Sequence, residues 1–324
     1  MPPKTKSILL TCVLLWGAAA LAETKHPVET RNAALRYWLA FADLQDPPAD
    51  EETKNLLEKT AAGEVPWNEA MLGPILDKNE NAILSMQRAT KLPECDWGLE
   101  YDLGPRASIA YAPRARVLAR LNTLYGIRLA AKGDTQRAVD TWLAGIRFSQ
   151  HLAQGGTLIF SLIAKMGLLS NFQALGRTLQ SGSLTASETH EIETAVRTLP
   201  EAGFDWGAAL EYEENALDTA VKEMKQASNP AEYYQQITSQ PPHENFSVPT
   251  PSDLAAFHKL IDAAENALRL PPDQVRERLK SLQDSIKTLH PFHQATTPSF
   301  VRINESRVQI AAARRDLLKA LGSR

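Results

Sequence analysis

Residues Arg116–Ala153 read "RVLARLNTLYGIRLAAKGDTQRAVDTWLAGIRFSQHLA". Val117, Leu121, Leu124, Tyr125 and Leu129 recur at the three- and four-residue intervals that place side chains on one face of a helix. "KGD" at Lys132–Asp134 turns the chain, and a second helix is predicted from Thr135 to Ala153. Gly126, Ala138 and Gly145 are small, Trp142 is large, and Gly133-Asp134 sits at the turn. Small residues let two antiparallel helices approach closely, and an indole fills the groove left between them. The stretch therefore predicts a tight helical hairpin, and with it an all-α protein.

Working outward, the periodicity stays helical, and no run alternates as a strand would. Glu29–Leu44 carries Leu35, Trp38, Leu39 and Ala42 on one stripe, expected to face inward, and "DPP" stops it. A short helix starts at Asp50 or Glu51 and ends near Gly63. Asn68–Leu92 gives another, with an early interruption expected at Gly73-Pro74. Thr157–Leu179 is apolar on all sides up to Leu169 apart from Lys165, the pattern of a helix buried on most sides. Thr185 and Glu188 are spaced as a capping box, and Asp205 caps a helix with Trp206, Leu210, Leu217, Val221 and Met224 inward. Residues 228–251 hold five prolines and read as a long loop or linker. Three closing helices are predicted at Ser252–Leu270, Asp273–Leu289 and Phe300–Leu321.

The N-terminus predicts export. Lys4 and Lys6 precede the apolar run Ser7–Ala19, and Ala20-Leu21-Ala22 is a small-x-small cleavage pattern, so residues 1–22 read as a signal peptide. An uncleaved inner-membrane anchor through residues 7–22 is the alternative. With the signal removed, no integral membrane span is expected. The domain plan is then a main helical domain at 23–227, the proline-rich stretch at 228–251, and C-terminal helices at 252–324 packing on the main domain. The formal net charge is −3 and becomes more negative once Lys4 and Lys6 leave, which argues against a nucleic-acid partner. Cys12 leaves too, so Cys95 is a lone thiol in the mature chain and stability must come from core burial.

One stretch concentrates candidate chemistry. "ECDWGLEYDLGP", Glu94–Pro105, holds four carboxylates, and Arg106, Arg114, Arg116 and Arg120 follow it. Arginines near a helix N-terminus oppose its macrodipole, so carboxylates folded back over them are expected to brace that helix through charge-assisted bonds. Asp96, Trp97, Glu100, Tyr101, Arg114 and Arg116 are the binding candidates of this loop. No catalytic, metal-binding or cofactor-binding set emerges. His290 and His293 flank Pro291, His190-Glu191 lacks a second histidine at zinc spacing, and no Gly-x-Ser-x-Gly or phosphate-cradling loop occurs. Acidic neighbours should raise the Cys95 pKa and keep the thiol inert. Glu211, Glu214 and Asp218 share one helix face, which leaves a carboxylate-dependent hydrolase, with its cleft at residues 94–105, as the alternative function. "DWG" recurs at Asp205–Gly207, and helix capping accounts for both copies.

The hairpin residues Gly126, Gly133-Asp134, Ala138, Trp142 and Gly145 resemble one tetratricopeptide-type repeat, with Asn122 and Gln150 departing from its pattern and no second copy at its period. More broadly, "AALRYWLAFADL", "CDWGLEYDLGP" and "RARVLARLNTLYGIRLAAKGDTQRAVDTWLAGIRFSQHLAQGGTLI" resemble a group of uncharacterised exported helical bacterial proteins. That resemblance implies export and an all-α fold, and it implies no activity. The expected fold is an array of antiparallel helical hairpins, tetratricopeptide-like in the middle, for which solenoid-like stacking is one form. The expected function is an exported scaffold or binding protein of the periplasm or cell envelope, without catalysis or cofactor, whose partner is another envelope protein or a peptide.

Overall fold

The structure is a computed structural model describing residues 30–242, 244 and 246–322; the signal-peptide segment lies outside the described residues. The protein is all-α. Among the described residues there are thirteen α-helices and no strand, only an isolated bridge between Asn32 and Glu94. From Asn32 onward the described residues group as one compact unit.

Local chemistry sets most helix starts. Asn32 caps α1 (Ala33–Asp43), Asp50 caps α2 (Glu51–Ala62) and Asn68 caps α3 (Glu69–Ala89), each accepting a first-turn backbone N–H. Pro74 does not interrupt α3 as predicted. It lies in the second turn, where the ladder loses one bond and the helix continues. Next come α4 (Tyr111–Ala131), α5 (Thr135–Ala153) and α6 (Leu158–Gln180), capped by Asp134 and Thr157 at the last two starts. The reciprocal Thr185–Glu188 box opens α7 (Ala186–Arg197), and Asp205 opens α8 (Trp206–Gln226), whose Trp206, Leu210, Leu217, Val221 and Met224 are all buried as expected.

The proline-rich stretch is not a structureless linker. Asn229 caps α9 (Pro230–Thr238), Pro230 takes the first helical position where its missing N–H costs nothing, and Tyr234 is buried against Phe246 and Phe292. The C-terminal third comprises α10 (Pro251–Leu268), α11 (Arg276–Ser285), the one-and-a-half-turn α12 (Pro291–Thr296) and α13 (Phe300–Gly322). Helix α10 packs on α8, and α13 packs on α6 and α7, so the C-terminal helices close onto the rest of the unit.

The α4–α5 hairpin has the predicted close approach. A Cβ on Gly126 would stand 2.7 Å from Trp142 Cε2, while Trp142 Nε1 donates to Thr123 O at 3.1 Å. Gly133 turns the chain with φ of 83°, a conformation that favours glycine. Asn122, where the repeat pattern has an aromatic, is fully buried and satisfied: it donates to Thr141 O at 2.9 Å and accepts from Gln87 at 3.0 Å. Helix α6 packs against both members of the hairpin. Regular solenoid-like stacking beyond this unit is not confirmed by the remaining helices.

The inward face of α1 differs from the prediction. Ala33, Ala34, Tyr37, Ala40 and Phe41 are buried, whereas Leu35, Trp38 and Leu39 are 55%, 41% and 64% exposed. The helix carries two apolar stripes, and an aromatic stack selects Tyr37 and Phe41 over the other set. Trp97 lies between Tyr37 (5.3 Å between centroids), Phe41 (6.1 Å) and Tyr111 (4.7 Å), and Tyr111 continues to Phe160.

Candidate functional site

The Glu94–Pro105 loop is held from both sides by backbone and aromatic contacts. Asn32 Nδ2 donates to Asp96 O at 2.8 Å, and Asp96 N donates to Asn32 Oδ1 at 2.9 Å. Trp97 Nε1 donates to His151 O at 2.8 Å, beneath the stack described above. Tyr101 donates its hydroxyl to Gly155 O at 2.6 Å and lays its ring on Tyr212, 4.3 Å away. Burial, reinforced by Asp96, pushes the Cys95 thiol up to about 12, so it stays protonated at neutral pH. Burial also takes His151 down to about 4, and Nδ1 of the neutral ring is hydrogen-bonded to the Tyr37 hydroxyl, 2.7 Å away.

The expected bracing by ion pairs is not what the loop does. Arg106 pairs with Glu223, Arg120 with Glu58 at 3.1 Å, and Arg114 donates to Leu44 O at 2.6 Å, closing the C-terminus of α1. Among the described residues no ion pair joins Asp96, Glu100 or Asp102 to these arginines. Asp96 instead accepts from Gly98 N at 2.9 Å, a local turn, and Glu100 is exposed. Of the two "DWG" stretches only Asp205 caps a helix. Both indoles nonetheless donate to a buried carbonyl, Trp206 to Ala202 O at 2.9 Å.

Trp97, Tyr101 and Arg114 thus have structural work, and Arg116 stands elsewhere. It lies on the rim of a furrow floored by α4 and walled by α2 and α6, with a volume of about 870 Å³. Pro47, Pro48, Leu57, Val117 and Leu121 line it, and Ile159, Leu162 and Met166 form its α6 wall. The three wall residues are 44–45% exposed, so α6 is not buried on most sides as its composition suggested. Its other face holds Phe160, Ala164, Leu168 and Phe172 in the core. Length and composition alone would let α6 cross a membrane, yet half of its most apolar stretch is packed inside the protein. A smaller space of about 230 Å³ adjoins the furrow and shares Glu58, Arg116, Arg120, Ile163 and Met166 with it. Thr123, Ser170 and Gln173 help line that second space beside Ala61, Ala119 and Gly167, so the trough becomes more polar past the two arginines.

Two further clusters bear on catalysis. On α8 and α10, His258 Nε2 lies 2.8 Å from Asp218 and 3.9 Å from Glu214. Burial, helped by Glu265, Asp262 and Asp218 against His258, raises the Glu214 carboxyl to about 7. Tyr212 faces the loop, and Glu214, two residues on, points to the opposite side of α8, so the structure does not bring Glu214 together with Asp96 or Glu100. Ser247 Oγ and His290 Nε2 are 3.1 Å apart. However, His290 Nδ1 accepts from Phe292 N at 3.2 Å, which leaves the proton on Nε2 and makes that nitrogen a donor, unable to act as a base toward the serine. No group of three or more metal-ligating side chains comes together among the described residues.

Comparison with protein-family models, with curated proteins and with solved structures gives no match. The furrow was missed by the sequence reading, although a signal for it existed. "TLIFSLIAKMGLL" at Thr157–Leu169 is apolar on every face, which fits a helix that lines an open groove as well as one that is enclosed.

Proposed function

We propose that this chain is an exported, non-catalytic helical binding protein of the periplasm or cell envelope, and that the furrow is its binding site. The observation that carries this reading is the row Ile159, Leu162 and Met166, large apolar side chains left about half open along a trough of about 870 Å³. Sites of small apolar ligands commonly fall in this size range, lined by apolar residues with a few polar groups. Clustered apolar exposure of this kind marks binding surfaces, whereas isolated exposed apolar residues do not. Export rests on the N-terminal pattern of residues 1–22. N-terminal sequencing of the protein recovered from the envelope fraction tests it: a start at Glu23 supports secretion, and a start at Met1 would replace it with a tethered form. The binding reading is tested with an environment-sensitive apolar fluorophore. Wild-type protein should enhance its emission, and Leu162→Glu, which puts a charge in the wall, should abolish the enhancement while leaving the far-UV spectrum unchanged. Equal enhancement by the variant would remove the furrow from consideration.

A second reading, carboxylate chemistry, draws on one observation: burial raises the Glu214 carboxyl to about 7 beside Asp218 and His258, so that it keeps part of its proton near neutral pH, the environment of a general acid. Turnover of a glycoside or ester substrate that disappears in Glu214→Gln would favour it.

A further inference from the structure

Resting on the furrow as the binding site, we infer that its occupant is a soluble single-chain amphiphile with one carboxylate head, of the long-chain fatty acid class. The charge distribution points to a monoanion. Lys54, Arg116 and Arg120 stand against Asp46 and Glu58 in the lining, three cations to two carboxylates. Glu58 already holds Arg120 at 3.1 Å, whereas Arg116 is exposed and has no side-chain partner among the described residues. A free guanidinium presents two parallel N–H donors, the geometry that a planar carboxylate accepts. The two acids nearby would repel a multiply charged head.

The position of Arg116 matches this chemistry. It lies where the apolar trough meets the more polar space around Thr123, Ser170 and Gln173, so a head group held there would leave its tail among Leu162, Ile159 and the two prolines. The walls are helices whose backbone groups are already bonded within α2, α4 and α6. An extended peptide would therefore find no ladder partners for its own backbone, while a hydrocarbon tail needs none.

The test uses the full exported chain, stripped of bound lipid, with displacement of the apolar fluorophore by decanoate, dodecanoate and tetradecanoate. Affinity should tighten by about twofold to fourfold per added methylene, the range for partial to full burial of a CH₂. Arg116→Gln should weaken each acid by roughly threefold to tenfold and leave the corresponding methyl esters unchanged. The inference is overturned if methyl esters bind wild type as tightly as the acids, or if Arg116→Gln weakens both alike. It is also overturned if phosphatidylglycerol vesicles or an acidic amphipathic helical peptide displace the fluorophore while the free acids do not. If Leu162→Glu binds the fluorophore as wild type does, the furrow reading itself fails and this one with it. Loss in Leu162→Glu without any distinction between acid and ester would sink the carboxylate inference alone.

Discussion

Gly126→Ala and Gly176→Ala exchange the same residue in the interiors of two helices, and the structure sets opposite outcomes for them. Both gain about 1 kcal/mol of helix propensity. At Gly176 a new Cβ meets nothing within 4 Å, so that gain should appear nearly whole. At Gly126 the Cβ would sit 2.7 Å from Trp142 Cε2. Trp142 is 1% exposed and tied through Nε1 to Thr123 O, so the hairpin must open or the indole must move. Overpacking of this kind costs about 1–3 kcal/mol. Moving the indole also threatens the bond from Nε1 to Thr123 O, and an orphaned buried donor costs about 1–3 kcal/mol more. After subtracting the propensity gain, Gly126→Ala should be destabilised by roughly 1–5 kcal/mol, equivalent to a fall in Tm of about 2–8 °C for a domain of this size. Urea unfolding followed by far-UV circular dichroism measures both variants. A cycle with Trp142→Phe, which removes the N–H and trims the ring, should recover at least about 1 kcal/mol as coupling. If Gly126→Ala proves as stable as Gly176→Ala, close packing of the hairpin is not what the glycine serves.

The loop and the acidic cluster make their own predictions. Asp96→Asn with Glu100→Gln should change stability by no more than about 0.5 kcal/mol at either low or high salt, because neither acid is ion-paired and an asparagine still accepts from Gly98 N; a salt-dependent loss would restore the bracing role. Trp97→Ala should cost about 3–5 kcal/mol in chemical denaturation, since it removes the centre of the stack with Tyr37, Phe41 and Tyr111. Glu214 titrates at about 7 when folded and near 4.5 when unfolded, so between those values the folded protein keeps a proton that the unfolded chain has shed. Its contribution to stability is full below pH 4.5 and is lost as pH rises through 7. The Tm of Glu214→Gln relative to wild type should accordingly climb across that window and level off above it; parallel curves would contradict the raised pKa.

What the sequence made legible was the chemistry that acts within four residues. Thr185 and Asp205 cap their helices as the spacing predicts, and the helices expected to start at Asp50 or Glu51, at Asn68 and at Thr157 do so with Asp50, Asn68 and Thr157 as N-caps, because an N-cap depends on its own first turn and on nothing distant. The hairpin was legible for a related reason: the glycines and Trp142 that define it lie within one short segment. Errors begin where a helix has more than one way to satisfy its own pattern. Both apolar stripes of α1 fit a helical period, and the choice between them is made by Trp97, sixty residues downstream. The loop arginines were read against carboxylates near in sequence, whereas their partners Glu223, Glu58 and Leu44 O come from other helices.

The furrow shows the same limit in its sharpest form. A helix that is apolar all round must bury both faces or leave one of them for something else, and composition treats these outcomes alike. The decision is made by the spacing of α2, α4 and α6, which leaves Leu162 and Met166 beside a trough instead of beneath a fourth helix. Arg116 entered as a candidate for a different reason, its place after the acidic loop. The structure keeps the residue and changes its company: with Arg120 taken by Glu58 and Arg114 tied to α1, Arg116 is the guanidinium left open at the point where the apolar trough meets the more polar one. A charge left unpaired at such a boundary contributes little to folding, since even exposed pairs are worth about 0–1 kcal/mol. Replacing it should therefore barely move the unfolding midpoint while changing which ligands bind, and a large loss of stability in Arg116→Gln would mean that the residue belongs to the fold.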